Sequence, residues 1–206
     1  MLLKIYPENP NPRDVKTVIE CLQDGGIIIY PTDTVYGMGC DIFKNKTVER
    51  IADIKGIKVE KANFSFVCYD LSHLSDFTKP ISNSTYKLMK RALPGPFTFI
   101  LDANNNVPKL FQSKKKTVGI RIPDNNITRV IVQELGHPIM TTSIHDEDDM
   151  IEYTTDPELI YEKYGSIVDI VIDGGYGDND PSTVVNCIND EFNVLRQGKG
   201  ILEDYL

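Results

Sequence analysis

Apolar residues recur every three or four positions in some segments of the chain and cluster in short runs between them. The helical spacing predicts five helices, at about Arg13–Gln23, Lys46–Lys55, Thr85–Leu93, Ile127–Leu135 and Pro157–Tyr164. Gly25, Gly56 and Gly136 stand within two residues of the ends of three of these segments, as glycines at helix C-termini do. The pattern therefore predicts both the helices and where several of them end.

The short apolar runs are rich in β-branched and aromatic residues and predict strands. Their bounds are Ile27–Tyr30, Phe64–Tyr69, Phe97–Leu101, Thr117–Ile122, Ile139–Thr142, Val168–Ile172, Thr183–Ile188 and Asn193–Arg196. Several runs are apolar on both faces, which is typical of a sheet covered by helices on two sides. The connection from Cys187 to Asn193 is too short for a helical crossover, so some neighbours are antiparallel. We expect an α/β fold with a mixed parallel and antiparallel sheet.

Composition agrees with an ordinary globular chain. Of 206 residues, 41% are hydrophobic and 25% charged, which excludes a disordered or fibrous protein. No linker or repeat divides the sequence, so we expect a single domain over residues 1–206. The apolar runs are far shorter than the roughly 20 residues that span a bilayer, and Lys4 and Glu8 interrupt the region where a signal peptide is apolar. We expect a soluble, cytoplasmic protein without membrane contact, whose scattered cysteines are free thiols: Cys21, Cys40, Cys68 and Cys187.

Charge is distributed unevenly along the chain. Residues 1–140 carry 19 Lys and Arg against 14 Asp and Glu, whereas residues 141–206 carry 3 against 16. This distribution excludes a protein that binds nucleic acid over its whole surface. A local basic patch in the first two-thirds of the chain remains open.

Common catalytic and nucleotide-binding signatures are missing from the sequence. Gly37-Met38-Gly39 is followed by Ile42 where a dinucleotide fingerprint needs a third glycine, and there is no phosphate-binding P-loop motif. The three histidines have no paired spacing, and no nucleophile elbow is present. We therefore predict no protein nucleophile and no resident metal.

Hydroxyl and cationic side chains stand instead at the ends of predicted strands. The segment Tyr30–Gly37 leaves a buried strand and enters a polar turn, where ligands often bind in α/β folds. Strand alternation places Thr117, Gly119 and Arg121 on one face, with Thr117 and Arg121 about 13 Å apart. Such a row suits an elongated anionic ligand. A turn that satisfies its own backbone, and an edge strand with a solvated face, remain alternative interpretations.

Other polar segments extend this set of candidates. Hydroxyls stand at Thr141-Thr142-Ser143 and at Ser182-Thr183, and Arg196 adds a cation near the end of the chain. The run Lys114–Lys116 is either a solvated loop or a phosphate contact. The acidic run Asp146–Asp149 either solubilises the protein or attracts a divalent cation.

Five motifs in this order resemble the YrdC family, which includes the L-threonylcarbamoyladenylate synthases and the YciO-like paralogues. They are Pro31–Gly37, Pro94–Thr98, Val118–Pro123, Thr141–Ser143, and Asp173–Gly175 followed by Pro181–Val185. The resemblance extends from about Lys16 to Gly200 and implies a twisted mixed sheet with flanking helices and a concave ligand face.

The resemblance also implies an activity. L-threonine, bicarbonate or CO2, and ATP would be joined into threonylcarbamoyl-AMP and pyrophosphate for modification of tRNA adenosine 37, with Mg²⁺ entering on the nucleotide. Positioning and electrostatics can promote this chemistry without a protein nucleophile. By motif, Thr34, Arg121, Thr141 and Ser182 would hold the threonine moiety, and the nucleotide would be held by Lys55, Lys61, Thr117, Ser143 and Arg196.

Some positions differ from the synthase pattern and are closer to the YciO-like paralogues. Ile57 stands where synthases have an arginine, and Lys58 where they have a proline. His145 replaces an asparagine, and Phe66 lies where several synthases place a histidine. Loss of the arginine removes one charge-assisted phosphate contact, worth about 1.5–3 kcal/mol.

Two other functions fit the sequence. A non-catalytic protein of this family could bind double-stranded RNA or a ribosomal element through lysines at 55, 58, 61 and 114–116. Alternatively, the same cleft could serve an enzyme with a different substrate. Proteins of tRNA modification are further partners that the resemblance implies.

Overall fold

The computed structural model of the protein describes residues 1–111, 116–144 and 152–206, without the side chains of Glu152 and Tyr153. Lys114, Lys115, His145 and Asp146–Asp149, which the sequence singled out, therefore lie outside the described residues. No helix among the described residues is long and apolar enough to cross a bilayer.

Ten strands of the described chain form one sheet. They are β1 (Leu2–Lys4), β2 (Ile28–Tyr30), β3 (Gly37–Asp41), β4 (Ser65–Val67), β5 (Phe97–Asp102), β6 (Thr117–Arg121), β7 (Ile139–Ser143), β8 (Ile170–Asp173), β9 (Thr183–Asn186) and β10 (Asn193–Arg196). Their order across the sheet is β1-β8-β2-β3-β7-β4-β6-β5-β9-β10.

The sheet is mixed, as the sequence predicted. Strand β8 pairs in parallel with both β1 and β2, and β4–β6 and β5–β9 are also parallel. The pairs β2–β3, β3–β7, β4–β7, β5–β6 and β9–β10 are antiparallel. Strands that are distant in sequence are thereby brought side by side at the centre of the sheet.

Five of the seven helices in the described residues lie close to predicted positions. The seven helices are α1 (Pro12–Gln23), α2 (Asn45–Ile54), α3 (Leu74–Phe77), α4 (Asn83–Ala92), α5 (Asn126–Leu135), α6 (Glu152–Thr155) and α7 (Pro157–Tyr164). Side chains cap several N-termini, for example Asn11 on α1 and Asn125 on α5. Gly136 ends α5 with φ +83°, the left-handed conformation that glycine adopts without a steric penalty.

Two hydrophobic clusters pack against opposite faces of the sheet. On one face, Cys40, Phe66, Ile120 and Phe99 pack with residues of α2, α4 and α7 such as Leu88. On the other face, Ile28, Val67 and Ile139 pack against α1 and α5. Helices α1 and α5 contact each other over one end of this second face. We call it the site face, because the polar residues described below lie on it.

Four elements have no counterpart in the sequence prediction: β1, β3, α3 and α6. The segment of β3 reads Gly-Met-Gly-Cys-Asp, and glycine and aspartate are depleted in strands. Its backbone pairs with β2 on one side and β7 on the other, and this pairing stabilises the extended conformation that the local sequence does not favour. Tertiary pairing therefore overrides a weak local preference here.

Candidate functional site

A row of small residues crosses the site face at the centre of the sheet. Gly39 lies opposite Thr141, Thr141 opposite Ser65, and Ser65 opposite Gly119. Residues opposite each other in register point to the same face. A Cβ atom on Gly119 would lie 2.5 Å from the Ser65 hydroxyl. The four strands β3, β7, β4 and β6 thus present a polar floor without large side chains.

Tyr30 borders one side of this floor. Its ring lies beneath Gly37, where an added Cβ would come within 2.9 Å of the ring. The Tyr30 hydroxyl donates to Thr141 Oγ1 over 2.5 Å, and burial raises the pKa of Tyr30 to about 12. Because Thr141 accepts from tyrosine, its own hydroxyl proton is available to a ligand.

Arg121 is the buried cation of the site face. Its Nη2 donates to Thr34 Oγ1 over 3.0 Å and to Asp33 Oδ1 over 3.3 Å. The Arg121 and Asp33 side chains are only 9% and 11% exposed. Arg121 Nε and Asp33 Oδ2 are buried and have no hydrogen-bond partner among the described residues. The structure thus brings Thr34 and Arg121, both predicted to contact the amino acid, into direct hydrogen-bond contact.

The turn that carries Thr34 is held by its own side chains. Thr32 Oγ1 accepts from the Thr34 amide over 3.0 Å and donates to the Val35 carbonyl over 2.8 Å. The Lys199 ammonium donates to the Asp33 carbonyl oxygen over 2.8 Å and pairs with Asp178. The turn therefore satisfies its own backbone, as the alternative interpretation proposed, and it also directs Thr34 at Arg121.

A second polar group lies on the same face, across β5, β9 and β10. Ser182 and Thr98 share a hydrogen bond of 2.8 Å between their hydroxyls. Arg196 Nη2 donates to the Ser182 carbonyl oxygen over 2.7 Å and to its hydroxyl over 3.3 Å. The register of β10 shifts between Val194 and Arg196, so that Arg196 lies opposite Val184, while Val194 lies opposite Val185. Arg196 is thereby placed on the site face.

Electrostatics connects the two groups. The pKa of Arg196 is lowered, first by burial and then by the positive charge of Arg121. The charge of Arg121 also acts on Tyr30, partly offsetting the effect of its burial on the pKa. Arg121 lies close enough to Arg196 to disfavour its charge, and two neighbouring cations form a site suited to anions.

Other predicted residues lie around these groups. Thr117 and Ser143 are half-buried on β6 and β7, and the register places both on the site face. Lys55 is half-buried at the C-terminal end of α2, and Lys61 is exposed in the turn Val59–Lys61 that leads toward β4. The structure thus brings five of the nine residues into direct hydrogen bonds on one face and places two more on it.

Several residues of the site were not among the candidates that the sequence predicted. Asp33, Thr98 and Lys199 contact predicted site residues or the turn that carries them. Asp33 and Thr98 lie inside the quoted motifs. Alternation along the strand that begins at Phe97 places Thr98 on the face opposite Phe97, and this signal could have identified Thr98. Phe66 is buried against Phe77 and Phe111 on the opposite face of the sheet, so this position does not line the site.

Metal ligands are not clustered in the part of the chain that the structure describes: no group of three or more His, Cys, Asp or Glu side chains there is arranged to hold an ion. The four cysteines are free thiols, and three of them are buried.

Known proteins are similar to this chain in sequence and in fold. Residues 20–198 match the sequence profile of the Sua5, YciO and YrdC family, whose description is "Telomere recombination". The protein YciO of Escherichia coli K12, itself described as uncharacterized, is 38% identical over 204 residues, covering 98% of this chain and 97% of YciO. The chain therefore belongs to the YrdC/Sua5 family.

Solved structures agree with that membership. A crystal structure of E. coli YciO superposes with a TM-score of 0.91 at 37% identity, covering 100% of this chain and 99% of the other. P. abyssi Sua5 crystallised with L-threonine has the same fold, with a TM-score of 0.88 at 24% identity, over 99% of this chain and 59% of Sua5. The threonylcarbamoyl-AMP synthase of Nitrosococcus oceani is 29% identical over 165 residues, 80% of this chain and 87% of that protein.

Proposed function

We propose that the protein is a threonylcarbamoyl-AMP synthase-like enzyme, a divergent paralogue that joins L-threonine, bicarbonate and ATP and releases pyrophosphate. The observation that carries the proposal is the arrangement of Thr34, Arg121, Ser182 and Arg196 on one sheet face around a floor of small residues. The names of the relatives support it, since N. oceani has a synthase and P. abyssi Sua5 was crystallised with L-threonine.

The threonine half would lie between Arg121 and Thr141. A guanidinium is the usual partner of a carboxylate in a poorly solvated site, and Arg121 is buried with Nε unpartnered among the described residues. Thr141 offers a hydroxyl proton to the same ligand, because its oxygen accepts from Tyr30. Thr34 and Ser182 would complete the contacts of the amino acid.

The nucleotide half would lie toward Arg196, with Thr117, Ser143, Lys55 and Lys61 as further contacts. A carbamate oxygen would attack the α-phosphorus and pyrophosphate would leave with its Mg²⁺, which the phosphates bring as part of the substrate. Arg196 would neutralise the charge that develops on the phosphate oxygens. Arg196 is exposed on β10, which leaves its guanidinium open to such a ligand.

The test is release of pyrophosphate from ATP in the presence of Mg²⁺ and bicarbonate, with and without L-threonine. Threonine-dependent release is expected in the wild type, and Arg121→Lys should lower it about 10- to 100-fold, because one point charge replaces a planar donor. Arg13→Lys, on the exposed surface of α1, is the matched control and should retain full activity. A wild type without threonine-dependent pyrophosphate release would refute the proposal.

A second candidate function is binding of double-stranded RNA without turnover. The observation that favours it is the contact between the turn Val59–Lys61 and the turn Lys109–Phe111, two separate segments that each carry an exposed lysine, Lys61 and Lys109. Lys58 and Lys61 are exposed. Such a patch would bind phosphates of duplex RNA without reading sequence.

The RNA candidate predicts strong salt dependence. Affinity for a duplex should fall about tenfold or more between 50 and 200 mM salt, and Lys61→Ala should lower both the affinity and the salt slope. Lys16→Ala on α1 is the control with the same charge change. Duplex binding that is independent of salt would contradict this electrostatic account.

A further inference from the structure

The ion pair between Asp33 and Arg121 is incomplete on both sides. A single contact of 3.3 Å, from Nη2 to Oδ1, joins the two side chains. One donor of the cation, Nε, and one acceptor of the anion, Oδ2, have no partner in the described residues. Buried polar atoms without partners are rare, because each costs about 1–3 kcal/mol.

The two unpartnered atoms call for partners of opposite charge. Arg121 Nε needs an acceptor, ideally an anion, and Asp33 Oδ2 needs a donor, ideally a cation. Both atoms are closed to solvent, so a ligand reaches them only when the two side chains separate. A single contact between them, rather than two parallel bonds, offers less resistance to that separation.

The neighbouring cations do not complete the pair by direct contact with Asp33 Oδ2 in the described residues. Lys199 contacts the Asp33 backbone carbonyl oxygen, and its ammonium is paired with Asp178. Arg196 lies close enough to Arg121 for the charge of Arg121 to lower its pKa, after the larger effect of burial. Burial raises the pKa of Asp33, while Arg121, then the backbone amides of Asp124 and Asp33, and last the charge of Lys199 oppose that rise. Asp33 is therefore a carboxylate that would gain from a cationic partner.

We infer that Asp33 is a specificity-determining residue, whose carboxylate binds the α-ammonium group of a free amino acid while Arg121 binds its carboxylate. This inference rests on the proposed function and adds a requirement for the zwitterion. A ligand of this kind supplies both missing partners at once. Asp33 then selects against carboxylates that lack a charged amine.

The experiment compares two isosteric ligands by calorimetry: L-threonine and (2S,3R)-2,3-dihydroxybutanoate, in which a hydroxyl replaces the ammonium. The wild type should prefer L-threonine about 10- to 100-fold, the range of a charge-assisted hydrogen bond. Asp33→Asn should bring the ratio of the two dissociation constants close to one. Asp33→Glu should recover part of the preference, because the carboxylate is restored.

The ratio of the two dissociation constants distinguishes recognition of the ammonium group by Asp33 from a merely structural role of Asp33. If Asp33 only orients Arg121, Asp33→Asn weakens both ligands equally and the ratio persists, which overturns the inference. Asp178→Asn is the matched control: Asp178 pairs with Lys199 rather than with Arg121, so the ratio should stay at its wild-type value. Circular dichroism confirms that each variant is folded before binding is measured.

Failure of this inference and failure of the proposed function give different results. Threonine-dependent pyrophosphate release together with equal affinity for the two ligands refutes the role of Asp33 and leaves the proposed function in place. Preference for a different free amino acid, abolished by Asp33→Asn, supports the role of Asp33 and refutes threonine as the substrate. Binding of none of the twenty free amino acids refutes both.

Discussion

At the scale of single residues, the contacts that the site can offer a ligand depend on which hydroxyl protons already take part in hydrogen bonds within the protein. Thr32 gives its proton to the Val35 carbonyl oxygen, so the hydrogen bond between Thr32 and Thr34 uses the Thr34 proton. Thr34 also accepts from Arg121. Thr34 therefore offers a ligand only a lone pair, whereas Thr141 offers a proton. Two threonines of the same motif set thus have opposite roles.

Ile57 is a residue where a single change should strengthen nucleotide binding. It is exposed in the loop after α2, and the resemblance implies a phosphate-binding arginine at this position. Ile57→Arg should tighten ATP binding about tenfold or more and raise any threonine-dependent release of pyrophosphate. Ile57→Gln, a polar variant without charge, is the control. Equal ATP affinity in the two variants would show that the missing charge does not limit binding.

Asp33 should make stability depend on pH. Its pKa is raised in the folded protein by burial, so the folded state favours the protonated form more than the unfolded state does. The stability that this preference contributes is present below about pH 3.8, the ordinary value, and is lost as pH rises through the raised pKa. Relative to the wild type, Asp33→Asn should therefore gain stability as pH rises from about 3.8 toward neutral.

Urea unfolding of both proteins across that range measures the difference, in which the contributions of other groups cancel. A difference in the free energy of unfolding that is constant with pH would mean that the pKa of Asp33 is not raised.

At the scale of elements, register decides which residues share a face. The hydrophobic pattern predicted the strands and the mixed sheet, because β-branched runs such as Ile27–Tyr30 carry a strong local signal. It did not predict β3, whose glycines are needed for close approach: a Cβ on Gly39 would lie 2.4 Å from the Met140 carbonyl oxygen. Local preference and tertiary packing oppose each other at that strand.

Gly39 and Gly119 should respond differently to alanine. The neighbour of Gly39 is backbone, which cannot move without breaking the β3–β7 pairing, so Gly39→Ala should cost about 1–3 kcal/mol or more. The nearest atom to Gly119 is the Ser65 hydroxyl, which can rotate away. Gly119→Ala should keep most of the stability but fill the floor of the site and lower ligand affinity.

Thermal unfolding and ligand titration of the two variants distinguish these effects. Equal losses of stability would contradict the difference between a backbone and a side-chain neighbour.

At the scale of the whole molecule, the site is assembled from segments far apart in the chain. The Thr34–Arg121 bond joins residues 87 positions apart, and the Thr98–Ser182 bond joins residues 84 apart. The sequence predicted these residue types at strand ends, but it carried no information on which strands are neighbours. The pairing of Asp33 with Arg121 could not be derived for the same reason.

Binding of the two proposed ligands should be coupled through the shared face. L-threonine and ATP would contact Arg121 and Arg196, and the charge of Arg121 disfavours that of Arg196. Neutralising one arginine changes the field at the other, so each ligand should change the affinity for its partner by the same factor. Titration of ATP with and without saturating L-threonine measures that factor. A factor of one would place the two ligands in independent sites.

The position of Arg196 has a consequence for local opening. Strand β10 is the last of the sheet, and all four of its residues are exposed. Edge segments with little buried surface detach at lower free energy than central strands. Amide hydrogens of β10 should therefore exchange with deuterium well before those of β6. The end of the cleft that would hold phosphate should unfold locally and refold, while the end that contains Arg121 stays folded. A bound nucleotide that contacts Arg196 would slow this exchange, because it would stabilise β10 at the edge of the sheet.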